Sequence, residues 1–151
     1  MTASPVPKTV FAVTRAFGSP IEGQALVSNA HFSTRYDLDR EAGAFSRPGH
    51  PNEGALLAGK ILFFPAVQGG VAGGWTFLEL KSRDRGPAAL VFGRTNPVMV
   101  QGAILARIPI LDGLDDDAFT LIENGDIVRV DPQALRVEIL KKHTSPRSTH
   151  A

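Results

Sequence analysis

The stretch Lys60-Ile61-Leu62-Phe63-Phe64-Pro65, followed by Gln68-Gly69-Gly70-Val71-Ala72-Gly73-Gly74 and then Trp75-Thr76-Phe77-Leu78-Glu79-Leu80-Lys81, decides the fold. Within the strand read at 60–65, Ile61, Leu62, Phe63 and Phe64 form a continuous apolar run stopped by proline, the pattern of a strand buried on both faces. In residues 75–81, Trp75, Leu78 and Leu80 fall at near-helical spacing, so a helix is predicted there. A doubly buried strand leading straight into a helix belongs to a sheet with helices packed on it.

Working outward, the pattern repeats. Residues 88–92, after Gly86-Pro87, form another apolar strand. Asn96-Pro97 is a helix start: Asn caps the orphan backbone N–H groups, and Pro sits where its missing N–H costs nothing. That helix is predicted to run to about residue 105, and residues 108–111 read as a short buried strand. Residues 127–130 and 135–140 alternate on either side of Asp131-Pro132, which predicts a hairpin. Toward the N-terminus, residues 10–17 are β-rich up to a turn at Gly18-Ser19-Pro20. Residues 24–28 read as a strand, 31–37 as extended, and 39–59 as Gly- and Pro-rich loops with short extended pieces. The succession strand, helix, strand, helix, strand between β-rich ends predicts an α/β domain with a curved, barrel-like sheet and two main helices on one side. Its expected limits are an extended segment at 1–20, the domain at 21–140, and a frayed basic tail at 141–151.

The 151 residues fit one domain, and 43% hydrophobic against 21% charged is ordinary globular usage. Sixteen basic and fifteen acidic side chains nearly cancel, so no basic field favours nucleic acid or an anionic membrane. The apolar runs are far shorter than the roughly 20 residues that span a bilayer, and residues 1–7 lack the charge and apolar pattern of a secretory leader. Cysteine is absent, which excludes disulfides and any iron–sulfur cluster held by this chain's own thiolates. The same absence fits a reducing cytosol, so a cytoplasmic location is expected.

Four glycines within 69–74 are the most informative local feature. Glycine lets a ligand approach the backbone, and N–H groups at a helix start bind anions without a charged side chain. A P-loop would need Gly-Lys-Ser/Thr where Gly73-Gly74-Trp75 stands, and the spacing G-x-G-x-x-G is missing. The same run could equally be a tight turn that packs a helix against a sheet. Arg35, Tyr36 and Asp37 bring a cation, a phenol and a carboxylate together; on an extended segment Arg35 and Asp37 share a face. A surface ion pair is the plainer reading of them. His50, in a Pro/Gly-flanked loop, can act as acid, base or hydrogen-bond donor, or can be purely structural. Asp115-Asp116-Asp117 reads as a turn cap or a solvated face. No ligand spacing suggests zinc, and neither a Ser-His-Asp set nor G-x-S-x-G is recognisable.

An ordered series of phrases resembles the small subunit of the aconitase X family. Asp39…Gly43…His50-Pro51…Gly54…Gly59-Lys60-Ile61-Leu62…Pro65 resembles its first half. Gly86-Pro87-Ala88-Ala89-Leu90, Asn96-Pro97…Gln101-Gly102-Ala103-Ile104-Leu105-Ala106 and Ile108-Pro109-Ile110 resemble its second. Gly125-Asp126…Val128-Arg129-Val130-Asp131 is similar to the endings of other swivelling domains, and the likeness covers about residues 22–140. The resemblance implies a three-layer β/β/α swivelling domain. It also implies a hydro-lyase that dehydrates a small hydroxy carboxylate, such as phosphomevalonate or cis-3-hydroxy-proline. An iron–sulfur cluster is expected in a separate large partner subunit, and no cofactor in this chain. The family's loop typically reads Gly-Ser-x-x-Gly-Ser, its first serine being the candidate base. Here Gly70 and Gly74 stand in the serine positions.

Two functions follow. In the first, the chain completes a dehydratase: Gln68, Gly69, Gly70, Val71, Ala72, Gly73 and Gly74 bind the substrate's anionic group, helped by Arg35 and Asn96, and His50, Tyr36, Asp37 or a group on the partner takes the proton. In the second, the chain is a non-catalytic carboxylate-binding or assembly module that forms a homo-oligomer when isolated. A phosphohistidine carrier would need a histidine within 68–74, where there is none.

Overall fold

The computed structural model describes residues 8–28, 37–39, 41–49, 52–67 and 72–143, with the backbone alone at 72–74. Its strands are β1 (Val10–Ala12), β2 (Arg15–Phe17), β3 (Ile21–Val27), β4 (Leu38–Asp39), β5 (Ala44–Phe45), β6 (Lys60–Ala66), β7 (Ala89–Arg94), β8 (Ile110–Asp112), β9 (Ile127–Asp131) and β10 (Arg136–Lys141). The helices among the described residues are α1 (Ala72–Ser82), α2 (Pro97–Ala106) and the single turn α3 (Ala118–Leu121). β4 and β5 form a small hairpin; the other strands join one sheet in the order β1-β10-β9-β3-β6-β7-β8-β2. Strands β3, β6, β7 and β8 run parallel, with α1 and α2 as crossovers, and the outer pairings are antiparallel.

Strands β1 and β2 occupy opposite edges of this sheet, yet only Val13 and Thr14 separate them in sequence. The two edges must therefore nearly meet, and the sheet rolls into the barrel-like form expected. Val13 N–H donates to the Leu135 carbonyl at one edge, and Thr14 N–H to that of Asp112 at the other. The expected boundary at residue 21 thus cuts through the sheet: the segment before it supplies both edge strands. The acidic run joins in. Asp115 accepts from Ala12 N–H at 2.9 Å, and Lys8 bridges Asp115 and Asp117. These two carboxylates fasten the N-terminal strand, a role beyond the turn cap or solvated face read from sequence. At the other end Lys142 and His143 are tied to Asp126, so the expected tail at 141 begins inside ordered structure.

The doubly buried strand is β6. Leu62 and Phe64 face one core with Phe77, Leu80, Leu90, Phe92, Met99 and Ala103, beneath α1 and α2. Ile61 and Phe63 face the other, with Phe11, Val91, Val128, Val130 and Val137, inside the rolled sheet. This period-2 division produces the three layers: sheet on sheet on helices. Burying Phe63 and Phe64 contributes on the order of 2 kcal/mol each, and Phe64 stacks on Phe92 with centroids 5.9 Å apart.

Among the boundaries that differ from the sequence reading, two flank the glycine run. β6 runs one residue past Pro65 because Gly93 lies beside it; a Cβ there would stand 2.6 Å from the Pro65 carbonyl oxygen. Helix α1 starts at Ala72, ahead of the expected Trp75, so Ala72, Gly73 and Gly74 form its first turn. N–H groups in a first turn have no intrahelical acceptor, so glycine's low helix propensity does not prevent initiation there.

Candidate active site

The carboxyl ends of β3, β6 and β7 gather on one edge of the sheet at Val27, Ala66 and Arg94. Helix α1 begins six residues after β6 ends, and α2 three residues after β7. Both N-termini therefore open on that edge, on the face they share. In parallel sheets this is where ligands bind. Neither helix has an acidic residue in its first turn, so the positive ends of both dipoles stand uncompensated by side chains of those turns.

The sequence-predicted residues fall into three groups. Arg35, Tyr36, His50, Gln68, Gly69, Gly70 and Val71 lie outside the described residues. Ala72, Gly73, Gly74 and Asn96 come to the common edge. Asn96 caps α2 as predicted: its Oδ1 accepts from Met99 N–H at 2.8 Å, and its side-chain NH₂ is the group suited to an anion. Asp37 is fully buried, with Oδ1 2.9 Å from Arg47 Nε. Its carbonyl accepts from Ser46 N–H, so it anchors the chain beside the β4–β5 hairpin. This burial corrects the plainer reading of a surface ion pair.

Sequence reasoning missed several residues at this edge. Asn124 Oδ1 accepts from Val27 N–H at 2.6 Å, and Asn52 Nδ2 donates to the Val27 carbonyl at 3.1 Å. The two side chains also bond each other, Asn124 Nδ2 to Asn52 Oδ1 at 3.0 Å. Together they clamp the last residue of β3 from two separate loops. Asp112 accepts from Thr95 N–H at 2.8 Å and pairs with Arg15 at 2.8 Å, which fixes the approach to α2. Arg94 ends β7, in register with Ala66, and is exposed. It has no ion pair or side-chain hydrogen bond among the described residues. Asn-Gly-Asp at 124–126 and the Arg just before the Asn96-Pro97 helix start were the available signals; neither is distinctive without the pairing of strands.

Asp126, at the same edge, is fully buried. Burial alone would raise its pKa. Hydrogen bonds from Lys142 and from the N–H groups of Glu123 and His143 outweigh burial and hold the carboxyl below its ordinary value. Beside α2, a groove of about 540 Å³ runs between the helix and β2, headed by Thr95 and Asn96 and walled by Val100, Ile104 and Ile110. Among the described residues no group of His, Cys, Asp or Glu could hold a metal ion, and no helix is long and apolar enough to cross a membrane.

A rolled sheet bearing two βα units whose helices open on one edge defines a swivelling α/β domain. The chain belongs to the aconitase X swivel-domain family, whose model matches residues 10–139. It is 36% identical over 121 residues to the phosphomevalonate dehydratase small subunit of Methanococcoides burtonii, covering 80% of this chain and 88% of that one. The small subunit of the same name from Thermococcus kodakarensis is 33% identical over 124 residues, 82% of this chain and 91% of that one. The crystal structure of Thermococcus kodakaraensis aconitase X in its holo-form superimposes with a TM-score of 0.81 at 31% identity, covering 89% of this chain and all of that one. The Microcin C7 self-immunity protein MccF shares the fold alone, with a TM-score of 0.52 at 17% identity over 42% of its length.

Proposed function

We propose that this chain, the small subunit of a two-subunit hydro-lyase, closes over and binds the anionic group of a small hydroxy carboxylate, of which phosphomevalonate is the first to test. One observation carries the reading: α1 and α2 begin side by side at the carboxyl ends of β6 and β7 with no acidic residue in either first turn. Such an edge suits a carboxylate or phosphate. The family and its relatives' names supply the reaction class.

Dehydration breaks the carbon–oxygen bond of a hydroxyl and removes a proton from the neighbouring carbon. The C–H electron pair becomes the double bond, and water leaves. In this reading residues 68–74, with Arg35 and Asn96, orient the substrate by its anionic group, and closure of the domain excludes bulk water. With Gly70 and Gly74 in the loop, no hydroxyl there can take the proton. Asp37 is engaged by Arg47 and buried, which argues for an anchoring role. His50, Tyr36 or a group on the large subunit is left as base. The chain has no cysteine, so thiolate ligands for an iron–sulfur cluster, whose Lewis acidity would draw off the hydroxyl, must come from the large subunit.

The test is to assemble the chain with its large subunit and follow a panel of hydroxy acids, phosphomevalonate first, for loss of water by mass and for the absorbance of a conjugated product. Turnover that requires both chains is expected. An assembled complex inert toward every acid would end the catalytic reading.

A second reading, a non-catalytic assembly module, is favoured by the two glycines in the serine positions. Under it the isolated chain forms a defined homo-oligomer, and Gly70→Ser changes nothing measurable in the complex. Calorimetric detection of carboxylate binding that weakens on substitution within 68–74 would dismiss it.

A further inference from the structure

Arg94 lies where the proposed substrate's charge would fall. Its backbone pairs with Ala66, the last residue of β6, six residues before α1 begins. Along β7, Leu90 and Phe92 face the helix-covered core while Val91 faces the barrel interior. By the alternation of a strand, Arg94 follows Phe92 on the helix side. That is the face on which α1 and α2 lie, at the level where both begin. The helix starts lend that level a positive potential, and an arginine there adds to its attraction for an anion.

Its freedom is specific to this position. Arg15, Arg47, Arg83 and Arg129 each have a carboxylate partner. Arg85, Arg107 and Arg136 are, like Arg94, without one among the described residues, but register puts all three at the opposite edge. Arg85 and Arg107 precede β7 and β8, and Arg136 pairs with Asp131, just beyond the level of Ile21 at the start of β3. Among these described arginines, Arg94 alone is both unpaired and at the carboxyl edge.

We infer that Arg94 is a specificity-determining residue of this site, donating charged hydrogen bonds to an anionic group of the substrate, carboxylate or phosphate. This rests on the reading of the edge as the substrate site. Backbone N–H groups accept any acceptor oxygen of the right shape; a guanidinium adds a preference for full negative charge and, through its planar fork, for two oxygens at once.

The experiment uses the assembled two-subunit complex with Arg94→Gln, Arg94→Lys and, as a control at the far edge, Arg136→Gln. The expected result for Arg94→Gln is a KM raised about 10- to 100-fold, the range for losing a hydrogen bond between charged groups, with kcat largely kept. Arg94→Lys should recover part of the loss, and Arg136→Gln should match the parent. Inorganic phosphate, titrated calorimetrically, should bind the parent complex and bind Arg94→Gln more weakly by a similar factor. An active parent whose KM and phosphate affinity are untouched by Arg94→Gln overturns the inference and leaves the dehydratase reading standing. A parent that turns over no hydroxy acid sinks that reading, and the phosphate titration then still decides on Arg94: weaker binding in Arg94→Gln supports it, and equal or absent binding overturns it.

Discussion

Lys142 Nζ lies 2.6 Å from Asp126 Oδ2, a carboxylate with no solvent-exposed surface. The same Oδ2 accepts from Glu123 N–H at 2.8 Å, and Oδ1 from His143 N–H at 2.6 Å. One acidic side chain thus ties the turn before β9 to the chain leaving β10. Beside it, Gly125 N–H donates to the Ala25 carbonyl of β3, and a Cβ on Gly125 would stand 2.8 Å from His143 Nδ1.

The charge state of this knot sets a pH dependence. Asp126 is depressed in the folded chain, so its contribution is complete above the ordinary carboxylate value near 3.9 and is lost as pH falls through the lower folded value. Burial lowers the pKa of Lys142, but its bonds to Asp126 and Glu123 prevail and raise it. Its contribution is therefore present below the ordinary lysine value near 10.4 and fades as pH rises beyond it. Urea midpoints measured from pH 2.5 to 8 should show an acid limb that is flatter in Asp126→Asn. Asp126→Ala, which also strands the Glu123 and His143 N–H groups, should cost about 3 kcal/mol at pH 7; Lys142 is half exposed, which keeps the loss at the low end for a broken buried pair. An unchanged acid slope in Asp126→Asn would show that other carboxylates govern acid unfolding.

Asn52 and Asn124 hold the two polar groups of Val27 and each other, so their losses should not add. Either alanine substitution is expected to cost about 1 kcal/mol, and the double-mutant cycle to show a coupling of about 1 kcal/mol. Strict additivity in chemical denaturation would mean that the two side chains act independently on β3.

The parts of the fold that were legible are those written in local periodicity. Ile61 to Phe64 announced a doubly buried strand, and Asn96-Pro97 announced a capped helix; both stand where expected. Strands of three residues carry no period, so Val10–Ala12 and Arg15–Phe17 read as one extended segment. Only their partners, Arg136 to Glu138 and Ile110 to Asp112, separate them onto two edges. The one-turn helix Ala118–Leu121 went unread for the same reason. The start of α1 was misplaced because two glycines argue against a helix on propensity, while a first turn asks for little propensity. The site was harder still. An arginine at a strand end looks like any surface arginine until register sets Arg94 beside Ala66, and nothing local to Asp115, a turn cap or solvated face by its sequence, shows that it accepts from Ala12 N–H.

Gly93 makes the close packing of β6 and β7 possible just below the site. Since a Cβ would meet a backbone oxygen, which cannot rotate away, Gly93→Ala must push the strands apart. The expected cost is about 1–3 kcal/mol in denaturant unfolding. Because Pro65 lies three residues from the loop at 68–71, the assembled enzyme should also lose substrate affinity even at temperatures where the domain stays folded. A variant as stable and as active as the parent would mean that the two strands have slack.

Gly70→Ser puts a hydroxyl back where the family carries its candidate base. If His50, Tyr36 or the large subunit has taken over proton removal, the added side chain gains no role and fills space that a ligand uses to approach the backbone. The expected outcome is a kcat/KM lower by about tenfold, carried mainly by KM, since roughly 1.4 kcal/mol of lost contact corresponds to that factor. If His50 is that base, the paired variant His50→Gln should instead depress kcat and remove the corresponding limb of the pH–rate profile. A rise in kcat for Gly70→Ser would show that the loop still presents its second residue to the reacting carbon. The glycine would then mark a weakened base, and the search for a substitute at His50 or Tyr36 would be misdirected.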